Sequence, residues 1–166
     1  NIGMWLDKSC LQYFGSTAAP SILSFYPALG VKRDVRSEPD ISDYALRGLL
    51  SVEYLITTPE KQADFESQAD DGWAYYDELD GFVLYKNKNY VPMGFAYDYY
   101  VTEETYGQAN KNSRANLLMR AMVLSDEDAA VYGKYLAELP TEKQSELTYE
   151  AYVQDLSLIH ISEPTR

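Results

Sequence analysis

Residues Trp73 to Lys86 read WAYYDELDGFVLYK, and this stretch sets the fold class. Two aromatic-rich runs, Trp73 to Asp77 and Phe82 to Lys86, flank Glu78-Leu79-Asp80-Gly81. A Gly-ended connection of that length between two strand patterns predicts a β-hairpin over about 73–86. Asn87 to Asn89 supplies a further turn, and Tyr90 to Tyr100 predicts another extended run. Pro92 has no donor N–H, so that run starts at a sheet edge or lies on one. Neighbouring residues of a strand face opposite sides, so the pairs Tyr75-Tyr76 and Tyr99-Tyr100 should each offer one core ring and one surface ring.

Upstream of the hairpin the chain alternates short elements. Ile2, Met4 and Leu6 alternate as in a short strand. Ser16-Thr17-Ala18-Ala19-Pro20 has the makings of a helix start: hydroxyls that cap, then a proline tolerated in the first turn. Ile22, Phe25, Tyr26 and Leu29 follow at i, i+3, i+4 and i+7, one face of a short helix that Gly30 closes. Lys32 to Asp40 is charged, contains Pro39 and predicts a surface loop. Tyr44, Leu46, Leu49 and Leu50 predict a second short helix. Val52 to Thr57 predicts a strand stopped by Thr58-Pro59. Glu60 to Gln68 predicts an exposed helix or loop, broken at Asp70-Asp71-Gly72.

Downstream, the pattern turns helical from Val101. Leu117, Leu118, Ala121 and Met122 share one helical face. Ser125 caps a further helix through a Ser-x-x-Asp pattern with Asp128. Val131, Tyr135, Leu136 and Leu139 line that helix, and Pro140 ends it. Thr141 to Asp155 predicts a polar helix or a short final strand. Strands followed by helices favour an α+β fold, with a small mixed or antiparallel sheet, flanking short helices and a helical C-terminal part.

The ends affect everything else. Leu156 to Arg166 reads LSLIHISEPTR, which corresponds to a transposon adapter of sequencing libraries translated in frame. The expected biological unit is therefore one α+β domain over residues 1–155, with 156–166 a non-biological tail that carries the chain's single histidine, His160. The chain opens at Asn1 without an initiator Met or a signal-peptide pattern, which predicts a piece of a longer protein cut at both ends. No stretch approaches the roughly 18 apolar residues of a membrane span.

Lys and Arg number 14 against 26 Asp and Glu, a formal charge of −12. Such a surface repels phosphate backbones, so no nucleic-acid partner is expected. A hydrophobic content of 46% is too rich for a disordered tail. Cys10 stands alone, which excludes an internal disulfide and a thiolate metal site. The acidic clusters Asp70-Asp71, Glu103-Glu104 and Asp126-Glu127-Asp128 have oxygen ligands for a cation but not the spacing of a calcium loop. The last of them is accounted for by the helix dipole. Ser16 and Thr17 have no usable histidine beside them, so nucleophilic catalysis is unsupported. Lys32, Arg33 and Arg36 form the one basic cluster; a solvated loop explains it, and contact with a lipid-linked phosphate is the functional reading.

Several ordered segments carry a resemblance. They are FGSTAAPSI from Phe14 to Ile22, SFY from Ser24 to Tyr26, LGVKRDV from Leu29 to Val35, LRGLLSVEYLI from Leu46 to Ile56, GFVLYKN from Gly81 to Asn87, and YVPMGF from Tyr90 to Phe95. Together, over roughly residues 1–130, they resemble the extracytoplasmic part of the YfhO family of bacterial membrane proteins, which are similar to membrane glycosyltransferases of the GT-C type. The resemblance implies transmembrane helices of a parent chain on either side, and location on the extracytoplasmic face of the bacterial plasma membrane. It also implies a polyprenyl-phosphate-linked sugar used by the parent, and an envelope glycan acceptor such as lipoteichoic acid. It places the catalytic carboxylates outside this segment, so no catalytic residue, metal or cofactor is expected within it. Phe14, Ser16, Thr17, Arg33, Arg36 and Arg47 are the candidate cavity-lining residues. Two alternatives stand beside this expectation: a non-catalytic extracellular glycan-binding or interaction module with surface tyrosines, and a free-standing soluble α+β protein.

Overall fold

In the computed structural model, the described residues are 9–11, 13–14, 18–32, 36–37, 39–40, 42–144 and 149–156. The strand expected near Ile2 to Leu6, the capping residues Ser16 and Thr17, and most of the tail lie outside them.

The strands are β1 (Tyr13–Phe14), β2 (Arg36–Ser37), β3 (Tyr54–Thr57), β4 (Trp73–Leu79), β5 (Phe82–Asn87), β6 (Tyr99–Thr102), β7 (Met122–Leu124) and β8 (Ala137–Glu138). The α-helices are α1 (Pro20–Ala28), α2 (Tyr44–Leu49), α3 (Pro59–Gln68), α4 (Glu103–Gln108), α5 (Arg114–Arg120), α6 (Asp126–Tyr132) and α7 (Tyr149–Leu156). The class is α+β.

The hairpin forms, and it is tighter than the sequence suggests. β4 runs on to Leu79, which pairs with Phe82, leaving Asp80-Gly81 as a two-residue connection. Asp80 has φ 51° and Gly81 φ 77°, so both central positions are left-handed, as a type I′ turn requires. β5 is the centre of an antiparallel sheet of order β3-β5-β4. α3 covers one face, where Phe65, Trp73, Val83 and Tyr85 are buried together. Phe65 meets Trp73 edge-on at 5.9 Å and Tyr85 at 4.7 Å. Each such side chain contributes on the order of 1.5–3 kcal/mol by leaving water.

A bulge shifts the register between Tyr75 and Asp77. Tyr75 meets Tyr85 at 6.2 Å on the helix-covered face, while Tyr76 meets Tyr54 at 5.3 Å on the open one. The two rings do diverge, but both are more than half exposed, at 58% and 54%. The expected core ring is missing because β4 at the bulge has left the cover of the helix.

Helix α1 begins at Pro20 and ends as expected, with Gly30 at φ 78° after Leu29. Tyr26 and Leu29 are buried on its inner face. Two departures follow it. Arg36–Ser37 pairs with Tyr13–Phe14 in place of an unstructured loop, and Pro39 is buried rather than on the surface. α2 is capped by Asp43, whose carboxylate accepts the Leu46 N–H at 2.9 Å. Burial holds the Asp43 carboxyl above the usual carboxylate range. α2 packs on α5 to build the central cluster of Leu29, Ala45, Leu46, Val91, Ala115, Met119 and Tyr152.

The C-terminal half is the main correction. The run from Tyr90 is not a continuous strand: only Tyr99–Thr102 joins a sheet, and Gly94 turns the chain at φ 91°. β6 is the centre of a second sheet, order β7-β6-β8, with both neighbours parallel to it. A parallel pair needs a long crossover, and α4 and α5 provide it. α5 stops at Arg120, so Ala121 and Met122 leave the expected helical face, and Met122–Leu124 becomes β7. Ser125 caps α6 as expected, accepting the Asp128 N–H at 3.1 Å. That helix ends at Tyr132, well short of Pro140. Val131 and Tyr135 are exposed, and Leu139 is buried against the second sheet, its N–H donated to Tyr100 O at 2.9 Å.

The turn geometry gives a direct test. Replacing Gly81 with Val, a β-branched residue forced to positive φ, should destabilise the fold by roughly 1–3 kcal/mol. Asp80→Asn should be near neutral, as read by denaturant midpoints of the two variants.

Candidate functional site

Among the described residues, two places are candidates for a site. The first is a buried polar junction where the antiparallel sheet meets the helical core. Arg47, on α2, is 3% exposed, and its Nη2 donates to Asp70 Oδ2 at 2.7 Å. Its guanidinium lies over the Trp73 ring, 5.1 Å from the centroid. The other oxygen of Asp70 accepts the Gly72 N–H at 2.8 Å. An alanine Cβ at Gly72 would meet Asp70 Oδ1 at 2.7 Å, Tyr149 OH at 2.8 Å and Arg47 Nη2 at 3.1 Å. Only glycine lets the three elements approach so closely.

Behind them, buried Asn87 donates to Val52 O at 2.9 Å and accepts the Asn89 N–H at 3.0 Å. The Asn89 amide in turn donates to Tyr149 OH on α7. Burial raises the Tyr149 phenol above its ordinary pKa. Tyr152, one turn further on, is 2% exposed and rests against Gly48 and Met119. Its hydroxyl has no hydrogen-bond partner among the described residues, and burial pushes its pKa far up. The chemistry of this junction is placement. A cation, a carboxylate and an aromatic face neutralise one another and fix the angle between sheet and helices.

The second place is an open groove of about 600 Å³ beside α1. Ser21, Ile22, Ser24, Phe25 and Ala28 of α1 form one wall, with Tyr106, Leu118 and Val123 completing it. Arg114 braces the rim. Its guanidinium donates to Ala109 O at 3.2 Å, Ala28 O at 2.9 Å and Gly107 O at 2.9 Å, and stacks 5.0 Å over Tyr106.

The six candidate residues separate. Ser16, Thr17 and Arg33 lie outside the described residues. Phe14 and Arg36 come together as register partners of β1 and β2. Arg47 sits in the junction, away from the groove. The groove's distal wall of Tyr106, Leu118 and Val123 was missed by sequence reasoning, which placed Leu118 on a helical face and singled out neither Tyr106 nor Val123. Among the described residues, no three His, Cys, Asp or Glu side chains stand close enough to hold a metal ion. No described helix is long and apolar enough to cross a membrane.

Tyr152→Phe removes a buried hydroxyl without a partner. It should leave stability unchanged within about 0.5 kcal/mol or raise it. A loss of several degrees in melting temperature would show that the hydroxyl is bonded.

The comparison with known proteins adds one finding. No curated protein and no solved structure matches the chain. A family described as bacterial membrane protein YfhO matches residues 1–161, nearly the whole sequence. The chain belongs to the YfhO family of bacterial membrane proteins.

Proposed function

We propose that this chain is an extracytoplasmic accessory domain of a multi-spanning membrane glycosyltransferase. The parent would move sugar from a polyprenyl-phosphate donor to an envelope glycan such as lipoteichoic acid. The observation that carries this reading is the family match over residues 1–161 of a chain in which no described helix can cross a bilayer. A water-facing domain of a membrane protein reconciles the two. Its own residues then act by shape: the Arg47–Asp70 junction fixes the sheet against the helices, and the domain caps the active site that the membrane helices of the parent form. The catalytic carboxylates belong to the parent, outside this segment.

A second reading, a glycan-holding module, is favoured by one observation. The open face of the antiparallel sheet presents Tyr54 and Tyr76, 39% and 54% exposed, with the Lys86 ammonium 5.7 and 5.9 Å from their ring centroids. Exposed aromatic rings beside a charged donor can stack on a sugar ring.

Cys10 is exposed and is the chain's single cysteine, which makes the placement testable. The parent is expressed in bacteria with every other cysteine replaced by serine. A membrane-impermeant maleimide should label Cys10 in intact protoplasts as fully as after lysis. Labelling only after lysis would put the domain on the cytoplasmic side and remove the reading. Glycosylated lipoteichoic acid, followed by mass in cells with and without the parent gene, tests the sugar transfer separately.

A further inference from the structure

The chain's acidity is unevenly distributed. Residues 8–33 and 105–125 contain none of the 26 Asp and Glu side chains. The same two stretches hold six of the 14 basic residues: Lys8, Lys32, Arg33, Lys111, Arg114 and Arg120. They are far apart in sequence, yet the fold brings them together. All eight residues that line the groove come from these two stretches, five from the first and three from the second. Among the described residues, Lys111 and Arg114 stand by the C-terminal end of α1, which is one end of the groove. Gly30, just past α1, lies against Lys111, with a Cβ there 3.7 Å from Lys111 Cβ. Exposed Lys32 follows two residues later, and Arg114 holds Ala28 O and covers Tyr106. The two acids of α4, Glu103 and Glu104, stand in its first turn, where they offset the helix dipole; Glu104 accepts from Gln108 at 3.2 Å.

Helix α1 is itself unusual for a surface helix. PSILSFYPA carries no charge, and Leu23 on its outer side is 52% exposed. An apolar trough with a cationic rim, in a protein of charge −12, is complementary to a surface that is apolar below and anionic above. We infer that the α1 groove and its Lys32, Lys111 and Arg114 rim are the face by which this domain rests on an anionic phospholipid bilayer, with Ile22, Leu23 and Phe25 toward the acyl region. Such docking would also turn the acidic remainder of the surface away from the lipid headgroups. The inference rests on the family's membrane character and not on sugar transfer.

The test is co-sedimentation of this chain with vesicles at low salt. Vesicles of phosphatidylglycerol and phosphatidylcholine should capture it, and vesicles of phosphatidylcholine alone should not; high salt should release it. Lys32→Gln and Lys111→Gln should each lower the partition coefficient by about fivefold, since a basic side chain near an anionic surface is worth about that much. Ser24→Asp, at an exposed groove position, should lower it at least as far. Lys61→Gln, on the helix that covers the antiparallel sheet, should leave it unchanged. Circular dichroism establishes that each variant is folded. Equal capture by both vesicle types, no capture by either, or an equal loss from Lys61→Gln would overturn the inference. None of these outcomes bears on the Cys10 labelling, which reads the side of the membrane and not lipid contact.

Discussion

Arg47 is the residue on which the arrangement of this molecule depends. A guanidinium at 3% exposure has left water, and the loss of hydration is tolerable only where a carboxylate and further contacts replace it. Asp70 provides the carboxylate at 2.7 Å, and the Trp73 face provides the rest. These three side chains come from different places: the helix α2, the loop after α3, and the first residue of β4. Satisfying the charge therefore fixes the antiparallel sheet against the helical core. Gly72 is the steric counterpart, since a Cβ there would push against the ends of the Asp70, Tyr149 and Arg47 side chains and displace the junction. A merely hydrophobic contact would allow the sheet to rock; an ion pair whose carboxylate is also held by the Gly72 N–H fixes one geometry.

Around that junction the three apolar clusters divide the work. One lies under the sheet, one between α1, α2, α5 and α7, and one against the parallel strands. α5 serves two of them, with Ala115 and Met119 turned to the centre and Leu117 to the parallel sheet. Tyr97 adds a polar tie at its end, donating to Leu118 O at 2.6 Å, and burial pushes its phenol up to about 12. The groove beside α1 opens between two of these clusters, with Phe25 and Leu118 packed on the central one and Tyr106 and Val123 on the one against the parallel strands.

Local signals were legible where local chemistry decides the outcome. Asp80-Gly81 between aromatic runs gives a hairpin because few other dipeptides take two left-handed conformations. Gly30 ends α1 for the same reason, and the Ser125 hydroxyl meets the Asp128 N–H because both belong to one turn. The parallel sheet was illegible because its pairing is nonlocal. Met122, Val123 and Leu124 form an apolar run that fits helix or strand equally, and only Tyr100, Val101 and Thr102 alongside decide it. Leu139 kept its expected burial but reaches it just past the end of β8, since spacing alone does not record where a helix stops. Of the site, the sequence marked Arg47 for a cavity without the partner that explains its burial. The groove was hidden because its two walls lie far apart in the chain, at Ser21 to Ala28 and Tyr106 to Val123, although the acid-free stretches that supply them can be read directly.

Arg47 and Asp70 are energetically one unit. A double-mutant cycle with Arg47→Met and Asp70→Asn, read as unfolding free energies in denaturant, measures it. Each single change should be strongly destabilising and the pair should couple by at least about 1 kcal/mol, so that the double variant is less impaired than the two losses together. Strictly additive losses would mean that the two side chains are buried independently, and would contradict the account.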